Sequence, residues 1–310
     1  MNNHVKASAP YSRRPPSPPA IAIPAVLSHK RRGTQAELVM VPSYENVDPE
    51  QLTEQDLATI TGHQTRLTGV ESATNWAYEQ RREAQRILDF LYLGPNNVIR
   101  DLDYLREQGI TMIIVLRDSR LAGRPLQSLE AATTALGIEG MYVDVASDQQ
   151  LIHGFSDTVR SINNHLLSVV KNQAHKKTED GQMMLDADTK GGKVLVACQS
   201  GNDVAPVVVA AYMMAALGKD VATVVQFVCA QRFCCVFDEN RKRLLMSWQD
   251  ILRARAQVAR ARSPWTEGAA PAAAKSKRGF EDVVMDEGTA VDQERFLGRE
   301  DFVPFADVDG

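Results

Sequence analysis

The chemistry this chain could do begins at Cys198. The run Val194-Leu195-Val196-Ala197 is continuously apolar, which predicts a buried strand. After Cys198 come Gln199, Ser200, Gly201, Asn202 and Asp203, and an apolar helix follows with Pro206 near its first turn. A thiol at a strand end, a short glycine-containing loop and a helix N-terminus form an arrangement suited to an anion. Loop N–H groups and the helix dipole converge on one point and can cradle a phosphate. The same positive field favours a thiolate able to attack phosphorus.

Phosphoryl transfer through a cysteine also needs a cation six residues beyond the thiol. An arginine there grips two phosphate oxygens with its planar fork and stabilises the charge that builds during transfer. That position holds Val204. The next, which should supply a hydroxyl to help expel the thiolate, holds Ala205, and the residue before the thiol, usually a loop-orienting histidine, is Ala197. Asp203 adds a carboxylate to a loop meant to receive an anion. Loss of a single charge-stabilising donor typically lowers a rate by roughly 10²–10³, and the other departures act in the same direction without simple additivity. Cys198 is therefore expected to be a vestigial nucleophile, with Gln199, Ser200, Gly201, Asn202, Asp203, Val204 and Ala205 forming a degenerate phosphate loop. Catalysis would need another cation, and Arg117, Arg232 or Arg241 would have to reach the loop. Asp148, just past a strand, stands where a general acid for the leaving oxygen would sit; an Asx turn explains an aspartate there equally well.

Several elements must position this loop. The apolar stretch Ile87, Leu88, Leu91, Tyr92 and Leu93 is expected to end in a turn at Gly94-Pro95. Leu102 and Leu105 predict a short helix closed by Gly109. Met112–Leu116 reads as a strand buried on both faces, and Met141–Val145 as another. Phe155, Val159, Ile162, Leu166 and Val169 recur at helical spacing. Residues 171–191 read as a mobile polar insertion. Helices are predicted over Pro206–Leu217, Val221–Arg232 and Glu239–Arg255. Strands alternating with helices indicate an α/β domain with a central, mostly parallel sheet flanked by helices.

Outside residues 71–258 the composition changes. Residues 1–70 are expected to be mostly disordered: the first 35 are rich in Pro, Ser, Ala and Arg, and no acidic residue precedes Glu37. Asp48-Pro49 and Thr53–Asp56 hint at one short helix. Residues 259–310 read as a second disordered tail, basic around Lys275, Lys277 and Arg278 and acidic beyond Glu281. No apolar run approaches the roughly 18–20 residues of a membrane span, and the N-terminus lacks the apolar core of a secretory signal. Cys229, Cys234 and Cys235 form no CxxC pair, so reduced thiols are expected rather than a disulfide framework or a metal site. No motif suggests nucleic-acid recognition or a cofactor.

The run Trp76-Ala77-Tyr78, Arg81-Arg82-Glu83, Gln85, Ile87-Leu88, Leu91, Leu93-Gly94-Pro95, Gly109-Ile110-Thr111, Ile113-Ile114 and Arg117 closely resembles the STYX-type branch of the atypical dual-specificity phosphatases. Gly192-Lys193-Val194-Leu195-Val196 and Arg232-Phe233-Cys234 extend the resemblance, which covers roughly residues 76–255. It implies a dual-specificity phosphatase-like fold without catalysis: a pseudophosphatase acting as a protein-binding adaptor. The implied partners are F-box subunits of ubiquitin ligases and MAP kinases, and the implied location is cytoplasmic and nuclear. Members of that branch usually lack the cysteine and keep the arginine; this chain keeps Cys198 and lacks the arginine. Two alternatives stay open: a weak or specialised phosphatase using Cys198, and a thiol redox sensor.

Overall fold

A computed structural model describes residues 19–24, 37–72, 75–179 and 191–262, apart from the side chains of Asp148 and of residues 174–179. The expectations for residues 180–190 and for the acidic-basic tail from 263 onward lie outside these residues.

The centre is a five-stranded sheet ordered β3-β4-β7-β5-β6. Its strands are β3 (Gln85–Leu88), β4 (Leu91–Pro95), β5 (Met112–Asp118), β6 (Glu139–Val145) and β7 (Val194–Cys198). Only the β3–β4 hairpin is antiparallel; β4–β7, β7–β5 and β5–β6 pair in parallel. The predicted α/β architecture is present. The continuous apolar runs of β5 and β7 follow from burial on both faces. Met112, Ile114, Leu116, Val194, Val196 and Cys198 point into one core, whereas Ile113, Val115, Leu195 and Ala197 point into the other.

One face carries α2 (Leu102–Gln108) and α3 (Gln127–Leu136); the other carries α4 (Asp148–Glu179), α5 (Ala205–Leu217), α6 (Val221–Gln231) and α7 (Glu239–Arg262). All residues of α5 are buried, as an all-apolar helix requires. It is packed by α4, α6 and α7. Trp248 of α7 donates its indole N–H to the Ala211 carbonyl at 3.1 Å, and Tyr212 reaches Asn163 of α4 at 3.1 Å. The termini are set by sequence: Asp220 caps α6 through the Thr223 N–H at 2.8 Å, and Gly109 and Gly218 close α2 and α5 at φ +70° and +63°.

Four expectations are corrected. Residues 37–70 are not part of a disordered tail: β1 (Glu37–Met40) pairs antiparallel with β2 (Leu67–Val70), and α1 (Glu54–Ile60) lies between them with a Thr53–Asp56 capping box. Met40, Val47, Leu52, Leu57, Ile60 and Leu67 enter the main core, which is why this stretch holds together. Gly94-Pro95 is not a turn but the end of β4, pairing with Ala197 and Cys198. Residues 171–179 continue α4 rather than opening the insertion. Helix α7 runs on to Arg262, past the expected boundary at 258.

Within the expected N-terminal tail, Pro19–Pro24 is also described and touches α6 and α7 through main-chain hydrogen bonds. Residues 1–18 and 25–36 lie outside the described residues.

Candidate functional site

Strand β7 delivers Cys198 to the C-terminal edge of the sheet, 5% exposed. Residues 199–204 turn the chain into α5, so the structure brings the whole expected loop together at one helix N-terminus. The turn depends on Gly201, at φ +71°. A Cβ there would lie 2.5 Å from the Gly94 carbonyl carbon and 2.6 Å from the Pro95 nitrogen, so only glycine fits both the conformation and the space.

The loop's shape is held from behind by Arg232, which is fully buried. Its Nε donates to the Gly201 carbonyl at 3.1 Å, and one terminal nitrogen donates to the Asn202 side chain at 2.9 Å and the Ser200 carbonyl at 3.4 Å. The same guanidinium reaches the Glu83 and Arg81 carbonyls at 2.8 and 2.9 Å and the Gln85 side-chain oxygen. Cys234 Sγ adds a contact to Asn202 Oδ1 at 3.0 Å, and the Val236 N–H donates to the Asn202 carbonyl at 2.9 Å. Inside the loop, Ser200 donates to Asp203 at 2.6 Å and accepts from the Asn202 N–H at 3.1 Å.

The front is a crevice of about 380 Å³ lined by Cys198, Gln199, Ser200, Asp203, Val204 and, across from them, Arg117 and Asp118. Val204 occupies the N-cap of α5, with no side-chain cap hydrogen bond, and packs against the main core. Two of the lining groups are carboxylates. Hydrogen bonds from Arg120 hold Asp118 well below the usual range, at about 2. Asp203 lies 3.7 Å from Arg241, which is shared with Asp238 at the same distance.

The three arginines named as possible substitutes thus have other engagements. Arg232 faces the carbonyl side of the loop. Arg241 meets Asp203. Arg117 does line the crevice, but its Nε binds Asp144 at 2.6 Å, one terminal nitrogen binds the Arg124 carbonyl at 2.5 Å, and its guanidinium stacks 3.9 Å over the Tyr142 ring. Asp148 opens α4; its expected part as a relic acid rests on a side chain outside those described. Among the described residues, no group of three or more His, Cys, Asp or Glu side chains could hold a metal ion, and no helix is long and apolar enough to cross a membrane.

Sequence reasoning named Arg232 but missed its structural part. The available signal was its place directly after the apolar helix α6, flanked by Phe233, Cys234 and Cys235. A lone charge in such a run must find partners when buried.

No protein-family model matches the chain. It is similar to the serine/threonine/tyrosine-interacting proteins of Homo sapiens and Mus musculus, 28% and 27% identical over 172 residues. These matches cover 53% of this chain and 63% of each relative, so the chain spans less than two thirds of the length of the curated relatives it matches. Among solved structures, the human tyrosine phosphatase-like serine/threonine/tyrosine-interacting protein aligns at TM-score 0.41 and 24% identity, covering 55% of this chain and 97% of that one. A leucine-rich-repeat and phosphatase domain-containing protein from Entamoeba histolytica aligns at TM-score 0.42 and 15% identity, covering 57% and 96%. The resemblance read from the residues is borne out by the sequence relatives.

Proposed function

We propose, taking the dual-specificity phosphatase-like fold and the likeness to serine/threonine/tyrosine-interacting proteins as premise, that this chain is a catalytically impaired phosphatase domain that works by binding proteins. It would act as an adaptor or regulator in phospho-signalling or ubiquitin-ligase pathways, with F-box subunits or MAP kinases as the partner classes to test first.

One observation carries the reading. The place where a guanidinium should face a phosphoryl group holds Val204, partly buried against the core, and Arg232, beside the same loop, gives its donors to backbone and side-chain oxygens. A dianion in the crevice would meet Asp118 and Asp203, and Arg117, the arginine among the described lining residues, is already engaged by Asp144. With the charge-stabilising fork missing, the rate is expected to fall by at least roughly 10²–10³. The competing reading, a specialised phosphatase using Cys198, would require Arg117 to leave Asp144 and Tyr142 and turn toward the thiol.

The test is hydrolysis of p-nitrophenyl phosphate by the purified chain. Background turnover is expected, with Val204→Arg needed for any gain. Robust turnover by the unaltered chain that Cys198→Ser abolishes would overturn the proposal in favour of the competing reading.

A further inference from the structure

The groove between α6 and α7 lies apart from the Cys198 crevice and holds a short stretch of the chain itself. In Ala20-Ile21-Ala22-Ile23-Pro24, Ile21 and Ile23 are half-buried whereas Ala22 and Pro24 are exposed, the period-two pattern of an extended segment laid on a surface. Ile23 packs against the main core.

Among the described residues, four hydrogen bonds hold this segment by its main chain. Glu239 accepts the Ile21 N–H at 2.8 Å, and Lys242 donates to the Ile21 carbonyl at 2.6 Å. Gln226 of α6 donates to the Pro24 carbonyl at 2.6 Å, and Arg243 to the Pro19 carbonyl at 3.2 Å. Glu239 and Lys242 are themselves paired, and together they read both polar atoms of one residue without reading its side chain. Such a grip accepts any extended peptide, and the isoleucine positions supply the selectivity.

The segment does not fill the groove. Beside Ile23 and Pro24 lies a cavity of about 360 Å³, walled by Val225, Cys229, Phe233 and Phe237. Glu71 also lines it, only 4% exposed, and its Oε2 is buried with no hydrogen-bond partner. A buried carboxylate oxygen without a donor is costly. At the rim, Phe233 is 60% exposed. The site thus combines a main-chain reader, two apolar seats and, in the wall of the adjoining cavity, a carboxylate with one buried oxygen lacking a donor.

We propose that this groove is a binding site for an extended peptide supplied by another protein, with isoleucine-like residues at alternate positions followed by a lysine whose ammonium group reaches Glu71. Pro19–Pro24 is the occupant held in cis, and it competes with the incoming peptide. A tethered competitor acts at a high effective concentration, so the groove is masked until the segment is released. This goes beyond the reading of the Cys198 loop and holds whether or not that loop turns over phosphate.

The test is fluorescence anisotropy with a labelled peptide of sequence Ala-Ile-Ala-Ile-Pro-Lys and its norleucine-ended analogue, titrated with the full chain. The double variant Ile21→Asp/Ile23→Asp releases the cis segment and is expected to bind the lysine peptide at least about tenfold more tightly than the unaltered chain. The norleucine peptide should bind the released chain roughly tenfold more weakly than the lysine peptide, and adding Glu71→Gln should remove that preference. If the aspartates lower the melting temperature, Ile21→Ala/Ile23→Ala takes their place with the same expected order. Three results overturn the proposal: no saturable binding to the released chain, equal affinity of released and unaltered chains, or a lysine preference that survives Glu71→Gln.

Discussion

The guanidinium of Arg232 joins two separate stretches of chain: the loop after β7, and the run from Arg81 through Glu83 to Gln85 at the start of β3. Its burial is complete, so the guanidinium itself depends on those oxygens rather than on water for its partners. Arg232→Met keeps much of the volume and removes every donor. The substitution is expected to destabilise the fold by about 3 kcal/mol, since the buried Gly201 carbonyl and several part-buried acceptors lose their partners together. A urea titration by tryptophan fluorescence measures this; a midpoint unchanged from the parent would show that Arg232 does not hold the loop. Val204 gives the contrasting case. Its side chain touches the core from the front of the loop, so Val204→Arg tests chemistry whereas Arg232→Met tests shape.

Strand β4 is closely approached by the Cys198 loop, at Gly201, and by Ala84. A Cβ on Gly94 would lie 2.6 Å from Ala84 Cβ and 2.8 Å from Ala84 Cα, with no flexible side chain there to give way. Gly94→Ala is therefore expected to cost about 1–3 kcal/mol through overpacking, seen as a lower melting temperature by circular dichroism; an unchanged value would mean that β4 shifts freely. The same contact explains what the sequence showed and what it hid. Strands β5 and β7 were legible because burial on both faces leaves an unbroken apolar run, and α5 because its apolar content has no polar side. Gly94-Pro95 was misread because a glycine chosen for close approach carries the same letter as one chosen for a turn. At the site, the residues of the Cys198 loop and their deficit were legible from spacing alone. The engagements of Arg117, Arg232 and Arg241 were not, because they depend on Asp144, Glu83 and Asp203, which only the folded sheet brings near.

Across the whole molecule, residues 37–70 read as tail in the sequence because their apolar residues are sparse and interrupted. Leu52, Leu57 and Ile60 are nonetheless buried in the same core as α5 and α7. A chain beginning at residue 71 would lose six core side chains, those of Met40, Val47, Leu52, Leu57, Ile60 and Leu67. At about 1.5–3 kcal/mol for each buried apolar side chain, the loss is comparable with the whole margin of about 5–15 kcal/mol that holds a domain folded. That truncated chain is expected to be recovered unfolded or aggregated; a cooperative melt at the parent temperature would contradict this.

The clasp at the far end of α5 gives the molecule a timetable. The Ser43 N–H donates to the Leu217 carbonyl at 2.9 Å, and Asn46 reaches the Gly218 carbonyl from 172 residues away in sequence. On a ribosome adding about 5–20 residues each second, the early partner waits roughly 10–30 s before the late one has been made. Until then Met40, Val47 and Leu52 have no seat, and they are the apolar surface a chaperone would find on the nascent chain.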